Sequence, residues 1–226
     1  VRNSTGKITG NNGEMLGELF VKDGIMNYEE YLKDDNNPRI LYITKEAYTN
    51  AGEKGKEISN LADDTIDGVK GLFWSRLSEW TYGIQNTNKY EIYDFNKIKE
   101  GENGLNSKTE MEKALRRVAV INLKKSDGDT ETNMNDLTGY FNSNNCKEKY
   151  INYLEEQINI INPQIIVCCG TFSIFNDIFK EKIEKGKSMK RINKFKLKYG
   201  EAFLIDYYHP SWPNSSELLY NTLMIN

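Results

Sequence analysis

The sequence lacks several features that would assign the protein to a membrane, to secretion or to a familiar nucleotide-binding class. It contains no run of about 18 apolar residues that would span a membrane. Residues 1–6 include no apolar stretch typical of a signal peptide. No Gly-x-Gly-x-x-Gly or P-loop motif occurs, which argues against a Rossmann or ATPase role. We therefore expect a cytoplasmic protein outside those two nucleotide-binding classes.

Cysteine and histidine are also scarce. The chain has three cysteines, and their spacing forms neither a disulfide framework nor a zinc pattern. Cys168 and Cys169 are adjacent inside an apolar run, whereas Cys146 stands apart. We expect reduced thiols, no metal site and no cofactor. The single histidine, His209, follows a short apolar run and directly precedes Pro210.

Length and charge indicate one domain with an uneven charge distribution. A chain of 226 residues is long enough to bury one substantial core. We predict a flexible segment at residues 1–26 and a single domain at residues 27–226. The net charge of −3 does not by itself indicate a nucleic acid or a membrane as partner. Residues 180–198, however, contain nine basic and two acidic side chains, which predicts a basic face on an acidic body.

Four short segments are continuously apolar, at residues 39–44, 118–122, 164–169 and 202–207. Continuous hydrophobicity is typical of central strands in a parallel sheet, because both faces of such a sheet are covered. Segments with helical periodicity lie between them, at residues 71–80, 110–115, 146–161 and 172–183. This alternation predicts an α/β protein, a three-layer α/β/α sandwich around a mainly parallel four-stranded sheet.

A β-hairpin is predicted at the last strand. Residues 194–199 alternate strictly between lysine and apolar residues, and Gly200-Glu201 offers a turn into the strand that follows. The lysines, including Lys194 and Lys196, are expected to face outward and the apolar residues inward. Two roles remain open for these lysines: protection of an edge strand against aggregation, or contact with phosphate groups.

Polar side chains follow each of the four predicted parallel strands. In a parallel sheet the carboxyl ends of the strands meet at one edge, so these side chains are expected to converge there. We call this edge, with the residues that directly follow each strand, the carboxyl rim. Its candidate site residues are Lys45, Glu46, Asn122, Lys124, Lys125, Gly170, Thr171 and His209. They supply a carboxylate, an amide, cations and an imidazole, which predicts a functional site.

The order and spacing of several motifs resemble the uracil-DNA glycosylase superfamily. The resemblance includes Cys146, Leu154, Gln157-Ile158, Asn162-Pro163-Gln164-Ile165-Ile166-Val167, Gly170 and Tyr208-His209-Pro210-Ser211. Asn122-Leu123-Lys124-Lys125 resembles the asparagine segment that holds the target base in several branches, and Lys45-Glu46-Ala47-Tyr48 occupies the place of the first-strand motif. The resemblance covers about residues 39–211, by order of elements rather than by identity.

This resemblance implies a DNA glycosylase that flips a base out of the stack and cleaves its N-glycosidic bond. It implies that Glu46 holds negative charge near C1′ and positions water, that His209 stabilises the leaving base, and that Asn122 reads the base edge. Asp63, Asp64 and Asp67 are alternatives to Glu46. Further implied substrate contacts are Lys45, Ser211 and an aromatic face of Tyr48, Phe73 or Trp74. Tyr48 is the preferred aromatic candidate, because a pair such as Phe73 and Trp74 on an amphipathic helix is more typical of a helix core. Implied phosphate contacts are Lys124, Lys125, Lys194 and Lys196.

Departures from the family pattern narrow the expected substrate. Ala47 stands at the position of an aspartate and Tyr48 at that of a proline, which points away from uracil. Only Cys146 matches a cysteine of the iron–sulfur branch, so no cluster is expected. The expected substrate is a non-standard base, for example a glucosylated hydroxymethylcytosine of viral DNA, which would make the protein an antiviral defence enzyme. Three alternatives remain: a non-catalytic nucleic-acid-binding protein, classical uracil excision, and a nucleotide hydrolase that uses the same rim.

Overall fold

The protein has an α/β fold built on a seven-stranded mixed sheet. The structure is a computed structural model, and it describes residues 22–33, 36–48, 71–99, 105, 108–125, 127–128, 137–139, 141, 147–186 and 191–225. The strands are β1 (Gly24–Ile25), β2 (Ile40–Thr44), β3 (Ala47–Tyr48), β4 (Val118–Asn122), β5 (Asp127–Gly128), β6 (Ile165–Cys169), β7 (Ile183–Lys185), β8 (Ile192–Leu197) and β9 (Gly200–Tyr207). The large sheet has the order β1-β4-β2-β6-β9-β8-β7, and β3 pairs with β5 separately.

The four strands predicted from continuous hydrophobicity are adjacent and parallel in the order β4-β2-β6-β9. The sheet is larger than the predicted four strands and a hairpin, because β1, β7 and β8 add antiparallel pairings at its edges. β1 lies inside the segment that the sequence predicts to be flexible, and Met26 beside it is buried. The ordered part of the domain therefore begins before residue 27.

Helices cover both faces of the sheet. They are α1 (Tyr28–Tyr31), α2 (Leu72–Asn86), α3 (Phe95–Lys99), α4 (Lys108–Arg116), α5 (Lys147–Ile161), α6 (Phe172–Phe179) and α7 (Ser216–Ile225). The helix predicted over residues 172–183 ends earlier, because a short 3₁₀ turn at residues 180–182 leads into β7. Within the described part of the chain, no helix is both long and apolar enough to cross a membrane.

Alternation along the strands divides the core into two layers. Ile40 and Tyr42 of β2 pack in the layer that contains Trp80 of α2, whereas Leu41 and Ile43 pack in the opposite layer. α2, α3, α4 and α7 contribute to the first layer, and α5 and α6 contribute to the second. Because both faces bury apolar side chains, the central strands carry no polar residue until their carboxyl ends.

The predicted hairpin is present as β8 and β9, with its turn at Lys198-Tyr199 rather than at Gly200-Glu201. The exposed side chains of Lys194 and Lys196 alternate with the buried Phe195 and Leu197, as the pattern predicts. Tyr199 was expected to face inward, but it is 80% exposed because it lies in the turn.

Candidate functional site at the carboxyl rim

The carboxyl rim contains the point at which the sheet reverses its winding. From β2 the chain continues to α2 on one face, whereas from β6 it continues directly to α6 on the other face. In open α/β sheets, ligands bind in the crevice that this divergence creates between two neighbouring strands. Lys45 and Glu46 follow β2, and Gly170 and Thr171 follow β6, so these four residues flank the crevice.

His209 lies at this crevice, two residues after the end of β9. Its Nδ1 accepts a hydrogen bond from the backbone N–H of Ser211 at 3.2 Å, so in the neutral ring the proton is on Nε2. Burial and the positive charge of Lys45 lower the pKa of His209 to about 4. The imidazole is therefore neutral at physiological pH and donates only through Nε2. Its ring lies 5.6 Å from the ring of Phe73, between centroids.

Gly170 allows the ends of β6 and β9 to approach each other. Its φ is +68°, and a Cβ at this position would lie 3.3 Å from the Cβ of His209. The N–H of Gly170 donates to the carbonyl oxygen of Tyr207 at 2.7 Å. Thr171, also buried, donates from Oγ1 to the carbonyl oxygen of Ile43 at 2.9 Å. These contacts fix the β2, β6 and β9 ends relative to one another.

Asn122 supplies a buried amide at the end of β4. Its Oδ1 accepts a hydrogen bond from Thr44 Oγ1 at 2.5 Å, and the residue is 3% exposed. Its Nδ2 has no hydrogen-bond partner among the residues that the structure describes. Alternation along β4 turns this side chain to the same face as Val120, the face that α2 and Phe73 cover. Asn122 therefore offers an unused donor on the His209 side of the sheet, and unused buried donors are rare without a ligand or water.

Glu46 is paired with a cation. Lys124 Nζ lies 2.6 Å from Glu46 Oε2, and the two side chains are 22% and 7% exposed, respectively. The carboxylate that was predicted to act near the sugar and the lysine that was predicted to contact phosphate thus form one ion pair at the rim. Backbone hydrogen bonds hold this pair in register, since the N–H of Lys124 donates to the carbonyl of Lys45 at 2.9 Å.

Lys125 differs from the exposed cation that was expected. Its ammonium group lies 2.8 Å from Asp23 Oδ1, and the side chains of Lys125 and Asp23 are 13% and 2% exposed, respectively. Asp23 also accepts from the N–H of Asn122 at 2.6 Å and from Gln157 Nε2 at 2.9 Å. Burial lowers the pKa of Lys125, and Asp23 opposes that shift. This pair anchors the end of β4, so Lys125 does not present a charge to phosphate. Nothing in the sequence pattern around Asp23 indicates this role.

Lys194 and Lys196 also lie away from the rim. They pair with Phe203 and Glu201, which stand about 13 and 20 Å before the end of β9 at the usual rise of a strand. Lys194 also forms an exposed ion pair with Glu201. These positions correspond to edge-strand protection rather than to contact with a substrate at His209.

Arg191, which the sequence analysis did not single out, lies beside the rim. Its Nη2 donates to the hydroxyl of Tyr208 at 2.7 Å, and its guanidinium carbon lies 4.4 Å from the centre of that ring. Arg191 belongs to the basic segment 180–198. The number of charges in that segment does not predict which of its residues lies next to the end of β9.

The remaining predicted residues fall into two groups. Phe73 and Trp74 are half-buried at the start of α2, where their rings make an edge contact at 4.9 Å, and Ser211 is exposed. The Tyr48 side chain, Cys146 and the alternatives to Glu46 at positions 63, 64 and 67 lie outside the described residues.

The described part of the chain has no group of three or more His, Cys, Asp and Glu side chains that could hold a metal ion. The donors at the rim are instead suited to hydrogen bonding of an uncharged or anionic group, since Nε2 of His209, Nδ2 of Asn122 and the Lys45 cation are all donors. In comparisons with known proteins, no family model matches this chain and no curated protein matches its sequence.

Proposed function

We propose that the protein is a monofunctional DNA glycosylase that removes a flipped-out, non-standard base and leaves an abasic site. The observation that supports this most is the presence of two hydrogen-bond donors at the ends of β4 and β9, on the same side of the sheet. A neutral imidazole offers Nε2, and Asn122 offers an unused amide Nδ2 on the same side of the sheet. Two such donors match the carbonyl and ring-nitrogen acceptors of a nucleobase. The resemblance of residues 39–211 to the uracil-DNA glycosylase superfamily supports the same activity.

The proposed reaction is hydrolysis of the bond between C1′ and the base nitrogen. The electron pair of that bond leaves with the base, so negative charge develops on the base while positive charge develops on the sugar. The hydrogen bonds from His209 and Asn122 and the charge of Lys45 would stabilise the departing base. Water then adds to C1′, and Glu46 would accept its proton while the base takes up a proton from solvent.

A neutral His209 favours this role over general-acid catalysis. With a pKa of about 4, the ring lacks the second, acidic proton of an imidazolium at physiological pH, but its Nε2–H donates a hydrogen bond. Phe73, whose ring lies 5.6 Å from that of His209, would support the flipped base from one side. The exposed Ser211 and the partly exposed Lys124 would contact the flanking DNA.

The class of base is part of the proposal. Ala47 and Tyr48 replace the residues that the first-strand motif carries in uracil-removing branches, so we propose a modified base rather than uracil. A glucosylated hydroxymethylcytosine of viral DNA is the example that we would test first. Excision of such a base in the cytoplasm would serve as antiviral defence.

A second candidate is a nucleic-acid-binding protein without catalytic activity. The ion pair between Glu46 and Lys124 favours this candidate, because Glu46 Oε2 already accepts a hydrogen bond from the lysine ammonium. Ala47 in place of an aspartate points in the same direction.

Alkali cleavage of defined DNA substrates separates the two candidates. The substrates contain one uracil, hypoxanthine, 5-hydroxymethylcytosine or glucosylated 5-hydroxymethylcytosine, and a strand break after alkali reports an abasic site. We expect breaks with the unmodified protein on a modified base, and their loss in His209→Ala and Glu46→Gln. Lys194→Ala is the matched control, because this exposed residue lies away from the rim.

Binding of all four DNAs without breaks would favour the non-catalytic candidate. Hydrolysis of free nucleosides alone would instead indicate a nucleotide hydrolase. Breaks at uracil only would restrict the proposal to classical uracil excision.

A further inference from the structure

Arg76 is a buried cation in α2, whose buried side also carries Glu79. It lies one turn after Phe73 in α2 and directly before Leu77, and it is 3% exposed. A guanidinium group is always charged and has five N–H donors, so its burial requires several acceptors. All the acceptors that the structure gives for Arg76 come from a single short segment that follows His209.

That segment, residues 210–216, wraps around the guanidinium group. Arg76 Nη1 donates to the carbonyl oxygens of Pro210 at 2.6 Å and Trp212 at 2.7 Å. Nη2 donates to the carbonyl oxygen of Asn214, and Nε donates to Ser216 Oγ at 3.0 Å. One side chain thus holds three backbone carbonyls after His209 and the hydroxyl of Ser216, the first residue of α7. We refer to this arrangement as the Arg76 clamp.

The Arg76 clamp acts on the imidazole through two short connections. Pro210 is bonded to His209, and it is buried. The N–H of Ser211, between two clamped carbonyls, donates to His209 Nδ1 at 3.2 Å, which sets the tautomer of the ring. The N–H of Trp212 donates to the carbonyl of His209 at 2.9 Å, which closes a turn. The orientation of Nε2 therefore depends on where residues 210–212 are held.

We propose that Arg76 is the positioning residue for His209: by clamping residues 210–216 to α2 it holds the imidazole against Phe73 with Nε2 directed to the substrate. Arg76 touches the segment rather than the substrate, so it is not a catalytic residue. Its effect on excision rests on the proposed function, but its effect on the position and protonation of His209 does not.

The test uses the fact that the protein has one histidine, so a single imidazole is titrated in an NMR experiment. In the unmodified protein the titration midpoint is expected at about 4. Arg76→Lys keeps the charge but lacks the fork that holds three carbonyls. We expect its midpoint to move up toward 6.5, the ordinary value, because a loosened segment lets water reach the ring. We also expect the single-turnover excision rate to fall about 100-fold while DNA affinity stays unchanged.

Leu154→Ala is the control for a merely structural effect. Leu154 is buried in α5 on the opposite face of the sheet, so its loss destabilises the fold without contact to the clamp. The His209 midpoint of this variant is expected to stay at about 4. An Arg76→Lys protein that is folded and has both an unchanged midpoint and an unchanged excision rate would overturn the inference.

Two further measurements decide the question if Arg76→Lys does not fold. Ser216→Ala removes one acceptor and should move the midpoint in the same direction by a smaller amount. In the unmodified protein, the Nη protons of Arg76 should give separate signals because the carbonyls hinder rotation of the group, and one averaged Nη signal would contradict the clamp. If the midpoint moves but no DNA is cleaved, the clamp stands and the proposed function fails. If the unmodified protein cleaves DNA but the variants change neither the His209 midpoint nor the excision rate, the Arg76 clamp is contradicted.

Discussion

The chemistry that we propose for the rim depends on one imidazole and on the cation beside it. His209 is half-buried, and Lys45 lies close enough for its charge to disfavour a second proton on the ring. A histidine in this state is a fixed hydrogen-bond donor over the whole physiological range rather than a pH switch. Histidine usually titrates near neutral pH, but His209 stays uncharged across the physiological range.

The depressed pKa of His209 predicts a pH dependence of stability. Between pH 6.5 and about 4 the unfolded chain takes up a proton on this residue and the folded protein does not. The free energy of unfolding should therefore fall as the pH falls through this window, by at most about 1.4 kcal/mol per pH unit, and His209 should contribute no further change below it. Chemical denaturation of the unmodified protein and of His209→Gln across this range measures the difference. An identical pH slope for both proteins would contradict the assignment.

Asn122 is the second residue on which the site depends. We expect Asn122→Ala to slow excision by about 10²- to 10³-fold, because it removes a donor that is pre-oriented by Thr44. The rate is measured under single-turnover conditions with saturating enzyme. Thr44→Val is the companion variant: it leaves the amide but removes the hydrogen bond that orients it, so its loss should be smaller. Equal rates for Asn122→Ala and the unmodified protein would remove Asn122 from the site.

At the scale of elements, close packing of α2 against α7 brings Phe73 and Arg76 to the His209 segment. Gly83 allows this approach, since a Cβ there would lie 2.3 Å from the ring of Tyr220 in α7. α2 begins at the carboxyl rim and Gly83 is near its other end, so the helix spans the sheet and its tilt determines the position of Phe73.

Gly83→Ala should therefore destabilise the protein by about 1–3 kcal/mol, although alanine favours a helix more than glycine does. Gly139→Ala is the matched control, because a Cβ there meets no atom of the described residues within 4 Å. The free energies of unfolding of both variants are compared by urea denaturation. A Gly83→Ala protein as stable as Gly139→Ala would show that the two helices are not packed this closely.

The edge of the sheet at β1 depends on the buried pair of Asp23 and Lys125. Asp23→Asn leaves the Lys125 ammonium without its counter-charge, which should cost about 3–5 kcal/mol of unfolding free energy. Glu201→Gln provides the comparison, since its pair with Lys194 is exposed and its loss should not measurably change the denaturation midpoint. Similar midpoints for Asp23→Asn and Glu201→Gln would contradict the anchoring role of Asp23.

The elements that the sequence predicted best are those with a continuous or periodic apolar pattern. β2, β4, β6 and β9 could be found because both faces of each strand are covered. β1 and β7 were missed because strands of two or three residues have too few positions for a pattern. β1 pairs with β4 and β7 pairs with β8, and these contacts form only when the chain folds.

The candidate site residues also divide into those that a sequence pattern indicates and those that it does not. The positions of Asn122 and His209 could be predicted because Asn122 ends a recognisable strand and His209 lies two residues after another. Arg76 carried a usable signal as a charged residue among apolar ones in α2, whereas Asp23 carried none. Lys125 was therefore predicted to contact phosphate, because its ion pair with Asp23 could not be predicted.

At the scale of the whole molecule, the basic side chains that the structure describes in segment 180–198 do not lie together on one surface. Lys194 and Lys196 lie on the hairpin well before the end of β9, while Arg191 lies beside Tyr208 at the rim. If DNA binds at the rim, Arg191→Gln should reduce the salt dependence of DNA affinity, while Lys196→Gln should leave it unchanged. Fluorescence anisotropy at several salt concentrations measures both slopes. A larger effect of Lys196→Gln would place the DNA on the hairpin instead.

The most direct test of base excision identifies the released base without a prior choice of substrate. Viral DNA that contains hypermodified cytosines is mixed with uracil-containing DNA, and the free bases released by the protein are identified by mass spectrometry. The proposed function predicts one free modified base and an equal number of abasic sites, both absent with His209→Ala. Intact DNA with no free base, under conditions in which the protein binds that DNA, would contradict it.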